Sequence, residues 1–298
     1  MPGVPKRQQA IYQTIAAAEY RELLALPSTS TKTKQRLISS SATMASSWLL
    51  AFPTTPELTL ADEEFRFAIK HRLGLPCADD LPLSCRCNKS LMDDPAHLHS
   101  CHLLKRTAIT ARHDMIVRSL ANFFRMVGAV VHIEPRIIGF ERRRPDLDII
   151  SADRSLLIDV AVAHPAAPSR NSLTPLAAAA STEATKVGKY GVLAAARAAT
   201  FLPFVMESFG AFGKEALKVL HILHKAAANA TLPLPLPSFR THVYQTLSVA
   251  LQRGNSLIAK RGVVDAKAAA WDRPRFNHGV AAAAAPVALA DDAGAPSS

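Results

Sequence analysis

The chain has 298 residues, enough for one large domain or two ordinary ones, and its 49% hydrophobic and 20% charged residues exclude a globally disordered protein. Aromatic residues make up only 6% and alanine is abundant, which favours helices packed through small side chains over an all-β sandwich. The formal net charge of +11 indicates a polyanionic partner, most simply nucleic acid, unless it reflects only a general bias toward Arg and Ala.

Four regions follow one another along the chain. Residues 1–76 are predicted to form a helical linker region that ends in an amphipathic helix over 57–73, and residues 77–105 form a short polar segment. Residues 106–262 alternate helices and strands, and the Ala/Pro-rich residues 263–298 are expected to be disordered. The elements predicted in the third region are helix Thr107–Val127, strands Ala129–Ile133, Leu147–Ser151 and Leu156–Val162, helix Leu176–Ala199, strand Thr200–Met206 and helices Lys214–Asn229 and Phe239–Lys260.

The polar segment carries a zinc-ligand pattern. Cys85 and Cys87 form one close pair, and His97 and Cys101 form a second pair four residues apart, which together supply the thiolates and imidazole of a tetrahedral zinc site. His99 and His102 are alternative histidine ligands, whereas Cys77 precedes a Pro-containing loop and is not expected to bind metal. Zinc would explain how a segment without hydrophobic periodicity folds.

The N-terminus lacks the apolar core of a signal peptide, and the longest apolar tract, 280–285, is too short to span a bilayer. We therefore expect an intracellular protein with reduced thiols and no membrane partner.

Two acidic residues lie on neighbouring predicted strands. Asp146 opens one strand, and Asp159 lies inside the apolar run of the next, where a carboxylate is costly unless it is paired or binds a metal. A few carboxylates with waters hold Mg²⁺, and such an ion can activate water for phosphodiester cleavage. Asp148, on the strand face of Asp146, and Glu134 are reserve ligands.

A nuclease of this kind also needs a lysine near the attacking water, most often two residues after the second acid, but that residue is Ala161. Either the site is inactive or the lysine comes from the following helix, which offers Lys186 and Lys189. Lys186 is slightly favoured because the spacing i, i+3, i+7 places it on one face with Glu183 and Tyr190.

Taken in order, these pieces resemble the C-terminal region of non-LTR retrotransposon polyproteins that carry a restriction-like endonuclease. The resemblance covers residues 40–260 and rests on Arg72-Leu-Gly-Leu-Pro76, Cys85-x-Cys87 with His97-x-x-x-Cys101, Arg112-His113-Asp114, Arg144-Pro145-Asp146, Asp159-Val-Ala-Val162 and Lys186-Val-Gly-Lys189-Tyr190.

The resemblance implies an α/β (α+β) fold: a restriction-endonuclease-like PD-(D/E)xK core with flanking helices and a small zinc knuckle. Asp146 and Asp159 would bind Mg²⁺, and Lys186 or Lys189 would serve the water. We expect Arg112, His113, Arg142, Arg143 and Arg144 to contact DNA, since three consecutive arginines at a strand entrance cannot all point inward.

The expected activity is therefore a Mg²⁺-dependent endodeoxyribonuclease that nicks a chromosomal DNA target, acts in the nucleus and has the element RNA as a second partner. The chain shows no polymerase region, so the polymerase would lie in the same or a neighbouring reading frame. Two alternatives stay open: an inactive nucleic-acid-binding remnant of such an element, and a cellular nuclease of the same fold, such as a junction resolvase.

Overall fold

The computed structural model describes residues 4–94, 96–103, 106–140, 143–152 and 154–281. Its elements in chain order are α1 (Val4–Ala25), α2 (Thr31–Ser40), α3 (Asp62–Leu73), α4 (Arg106–Met126), β1 (Val130–Ile133), β2 (Leu147–Ser151), β3 (Arg154–Ala163), α5 (Ala177–Ala196), β4 (Thr200–Glu207), α6 (Lys214–Ala227) and α7 (Leu236–Ala281). The predicted order of one helix, three strands, one helix and one strand from α4 to β4 is confirmed. No helix in the described ranges combines the length and apolar character needed to cross a bilayer.

The four strands form one mixed sheet in the order β1-β2-β3-β4. The pairs β1–β2 and β2–β3 are antiparallel, and α5 connects β3 to its parallel neighbour β4. Pro203 lies in β4, which has a strand partner on one side only, so its missing amide hydrogen is tolerated there. The protein therefore has an α/β architecture built on a mixed sheet.

Residues along β3 alternate between the two faces of the sheet. Leu156, Ile158 and Val160 join the main core, which is shared with α4, α6 and the first part of α7. Leu157 faces the other side and packs with Leu193 of α5. Because side chains alternate along a strand, Asp159 lies on the α5 face together with Leu157.

The predicted limits of two helices differ from those in the structure. The region 57–73 is not one helix but a single 3₁₀ turn at Pro56–Leu58 followed by α3. Helix α7 continues to Ala281, whereas the sequence predicted disorder from residue 263. Val263 and Ala266 are buried against the polar segment, which explains why the helix continues beyond residue 262. Residues 282–298 of the predicted tail lie outside the described residues.

The polar segment, which carries the four cysteines, is packed onto α7. Leu91 and Leu98 of this segment are fully buried and share a cluster with Val263 and Ala266. At Gly262 the approach is so close that an added Cβ would lie 2.9 Å from a methyl carbon of Leu98. The segment is therefore built into the same body as the sheet domain.

Three histidines, two buried and one half-buried, occupy the junction between α3, this segment and the ends of β3 and β4. The His71 ring stacks on Phe209 at 4.5 Å and lies 4.0 Å from the ring of His99, whose ring is 6.1 Å from that of His164. The Nδ1 atom of His164 is hydrogen-bonded to the Ser208 hydroxyl at 2.7 Å. Burial lowers the pKa of His71 to about 3 and holds the pKa of His164 well below its usual value of 6.5.

These buried histidines should make the fold sensitive to acid. Because the folded-state pKa lies below that of the unfolded chain, folding favours the neutral ring. The stabilisation is fully present above pH 6.5 and declines as the pH falls toward the folded-state pKa. Each such histidine can steepen the fall in the free energy of unfolding by up to about 1.4 kcal/mol per pH unit. Thermal unfolding of His71→Phe at pH 7 and pH 5, with zinc content measured in parallel, should show a shallower loss than wild type. The exposed His221→Ala is the control, and equal pH dependence in His71→Phe and wild type would contradict this role.

Candidate functional site

The predicted zinc ligands meet in space. One ligand atom from each of Cys85, Cys87, His97 and Cys101 lies within 4.8 Å of the others. The sulfurs of Cys85 and Cys101 are 3.6 Å apart, and Cys87 Sγ is 3.0 Å from His97 Nε2. A tetrahedral site with Zn–S bonds of about 2.3 Å places two sulfurs about 3.8 Å apart. The four residues therefore fit a metal such as zinc, and we call this segment, residues 85–101, the knuckle.

A tight backbone turn brings the first pair together. The amide of Asn88 donates to the Cys85 carbonyl at 2.9 Å, and the amide of Cys85 donates to the Lys89 carbonyl at 2.9 Å. Asn88 adopts φ 65°, a left-handed conformation that asparagine accepts more readily than most residues. This turn lets two cysteines separated by one residue aim at the same point.

The structure distinguishes between the candidate histidines. His97 Nε2 joins the cluster, while the His99 ring lies outside it, tilted against the His71 ring. His102 is exposed, and neither it nor Cys77 belongs to the cluster. The alternation of His97 and His99 along one 3₁₀ turn, His97–His99, directs one ring to the metal position and the other into the buried histidine cluster.

Purified protein should hold about one equivalent of zinc, because one four-ligand site is present. Cys85→Ser and Cys101→Ser should release the metal and increase amide exchange in residues 77–103, since the metal would join the two ends of the knuckle. Cys77→Ser is the matched control and should retain zinc. Metal analysis that finds no zinc in protein purified without chelators would contradict the site.

The predicted carboxylates lie opposite each other in the sheet. Asp146 immediately precedes β2, and the pairing of Leu147 with Ile158 continues to Asp146 opposite Asp159. The Asp146 carboxylate accepts a hydrogen bond of 2.5 Å from the amide of Val160, directly after Asp159. Both acids therefore lie at one point at the end of the β2–β3 ladder.

Helix α5 brings a lysine to this point. Lys186 Nζ forms an ion pair with Asp159 Oδ2. Lys189 instead lies over the Tyr190 ring, with its Nζ 2.9 Å from the hydroxyl, and that hydroxyl donates to the Arg144 carbonyl at 2.8 Å. Burial and the neighbouring Asp159 raise the pKa of Tyr190 well above its usual value. Of the two lysines, Lys186 is the one in contact with an acid.

Ala161, at the usual lysine position, is half-buried beside the start of α5. Ala161 packs with Ala163 of its own strand, with Ala178 at the start of α5 and with Val205 of β4. A long charged side chain at 161 would have to displace this packing. Among the described residues, the lysine in contact with Asp159 is Lys186 of α5.

The other predicted supporting acids do not join the pair. Glu183 Oε1 accepts from the Glu215 amide at 3.0 Å and so caps the start of α6, and burial raises its pKa. Asp148 is buried and forms a 3.2 Å ion pair with Arg197. Glu134 is exposed, and its amide donates to the Asp146 carbonyl. Among the described residues, the knuckle is the one group of three or more such ligands that could hold a metal, so the acid pair supplies only two carboxylates.

Two predicted DNA contacts occupy other roles. Arg112 is buried, bonds to the Asn255 side-chain oxygen at 2.9 Å and packs against Gly254, where an added Cβ would lie 2.3 Å from its Cγ. Burial lowers the pKa of Arg112 to about 10. Arg112 therefore belongs to the α4–α7 interface, and the expectation that it contacts DNA is corrected, because its guanidinium does not reach the surface.

His113 contacts acids. Its Nε2 lies 3.0 Å from Asp146 Oδ2 and its Nδ1 lies 3.1 Å from Asp114 Oδ1, and the bond to Asp146 is the main cause that raises its pKa to about 9. Sequence reasoning missed this contact because 33 residues separate the partners and no spacing rule links a helix to a strand entrance. The ion pair of Arg197 with Asp148 was missed for the same reason, because a helix end and a strand are far apart in the sequence.

The arginines beside Asp146 are available to a partner. Arg143 and Arg144 are exposed, while Arg142 lies outside the described residues.

Comparisons with protein-family models and with curated protein sequences find no match to this chain.

Proposed function

We propose that this protein is a metal-dependent DNA endonuclease with a restriction-endonuclease-like core, related to the endonuclease region of non-LTR retrotransposons. The observation that carries the proposal is the meeting of Asp146, Asp159 and Lys186, which come from a strand entrance, a strand and a helix. Two carboxylates that can hold a cation, with a basic group beside them at one end of a sheet, are suited to phosphodiester hydrolysis.

The two carboxylates would hold Mg²⁺, which usually keeps several waters and takes only one or two protein carboxylates. A bound ion would supply charge stabilisation at the phosphate and a more acidic water. Water attacks phosphorus, the bond from phosphorus to the leaving oxygen breaks, and the oxygen departs with a proton. Lys186, already placed on Asp159, would orient the attacking water and stabilise the charge that develops beside it.

A second candidate is a nucleic-acid-binding remnant that no longer cleaves. The observation in its favour is the Lys186–Asp159 ion pair, which already neutralises a buried carboxylate without a metal. Both candidates share the basic surface and the knuckle, so only cleavage distinguishes them.

Nicking of supercoiled plasmid with Mg²⁺ should be abolished in Asp159→Ala, while DNA binding stays nearly intact, because the carboxylate is inside the sheet and not on the binding surface. Lys186→Ala should lower the single-turnover rate by on the order of 100-fold, as expected for a group that stabilises developing charge. Lys189→Ala is the matched control and should have the smaller effect, since Lys189 contacts Tyr190. Absence of metal-dependent nicking by the zinc-loaded wild type would favour the remnant.

The exposed arginines next to Asp146 are proposed to bind phosphates. Each phosphate contact contributes about 0.9 to the slope of log affinity against log salt, so Arg143→Ala with Arg144→Ala should flatten the slope by about 1.8. The double variant Arg21→Ala with Arg66→Ala, which removes two exposed arginines from α1 and α3, is the control with equal loss of charge. An unchanged slope for the Arg143/Arg144 variant would assign both side chains to solvent.

A further inference from the structure

His113 joins the acid pair to a second, more exposed carboxylate. Its Nε2 is 3.0 Å from Asp146 Oδ2, the oxygen that also accepts the Val160 amide hydrogen. Its Nδ1 is 3.1 Å from Asp114 Oδ1, on the next residue of the same helix. Both ring nitrogens are therefore occupied by carboxylate oxygens, and the plane of the ring is fixed from two sides.

We propose that His113 is a positioning residue that orients the Asp146 carboxylate for a divalent cation, with Asp114 fixing the ring. The inference rests on the proposed function, because it concerns the ion that Asp146 and Asp159 would share. Two donors on Oδ2, the Val160 amide and the His113 ring, fix the rotation of the carboxylate and leave its other oxygen, Oδ1, for the cation.

The charge arrangement supports this role. The Asp114 carboxylate lies on the far side of the ring, so the ring is held between two acids. Lys186 reaches Asp159 from the opposite face of the sheet, so each carboxylate of the pair has one basic partner from a different helix.

Placement in the fold explains why this histidine can act there. Helix α4 packs against the sheet on the face opposite to α5, with Ile116 and Leu120 fully buried in the shared core. His113 lies one turn before Ile116, where α4 reaches the level of the strand entrance. Its side chain is 30% exposed, so it borders the site and is not part of the core.

Calorimetric titration of zinc-loaded protein with Mn²⁺ tests the inference without relying on cleavage. His113→Ala should weaken Mn²⁺ binding by about 10- to 100-fold, the usual effect of losing a partner that orients a metal ligand. His113→Gln, whose amide nitrogen can donate in place of Nε2, should restore binding to near the wild-type value. Asp114→Ala should give a smaller loss, and the exposed His221→Ala should give none. Melting temperatures of the zinc-loaded variants show whether each is folded.

The outcomes separate this inference from the proposed function. If wild type and Asp159→Ala bind Mn²⁺ equally well, Asp146 and Asp159 do not form a cation site, and the nuclease proposal is overturned as well. If wild type binds and Asp159→Ala does not, unchanged or tighter binding by His113→Ala overturns the positioning role. Equal weakening by His113→Ala and His113→Gln also overturns it, because the hydrogen bond would not be the cause. If His113→Ala does not fold, His113→Gln and Asp114→Ala decide: clearly weaker binding by His113→Gln, or wild-type binding by Asp114→Ala, would overturn the positioning role.

Discussion

The register between β2 and β3 is the constraint on which the candidate active site depends. It pairs Leu147 with Ile158, so it sets Asp146 opposite Asp159 at the end of the ladder and directs Asp159 toward the face covered by α5. A slip of one residue would turn Asp159 into the apolar core of Ile158 and Val160, where a carboxylate would have no partner. The hydrophobic pattern that stabilises the sheet therefore also fixes the position of the acids.

Helices on both sides of the sheet complete the site. Lys186 comes from α5, which also connects β3 to the parallel strand β4, and His113 comes from α4 in the opposite layer. The small residues at the start of α5 pack beside Ala161, and the lysine that reaches Asp159 comes from the helix. The basic groups are thus supplied by packing between layers, not by neighbours along the chain.

The knuckle contributes to the same body through α7. Leu98 fits against Gly262, and the next histidine after the ligand His97 enters the buried cluster with His71 and His164. That cluster lies where β3 ends, five residues after Asp159. Loss of a metal from the knuckle would therefore loosen residues that support the end of the strand that carries Asp159.

The sequence by itself determined the order of helices and strands, the four knuckle ligands as a set, and the two acids, because these features depend on local periodicity and on residue types that are costly to bury alone. It left open which histidine and which lysine take part. Only the tertiary structure decided that His97 and not His99 joins the cysteines, that Lys186 reaches Asp159, and that His113 holds Asp146 while Arg112 is buried. Those outcomes depend on the relative placement of elements far apart in the chain, which side-chain packing sets and sequence spacing does not encode.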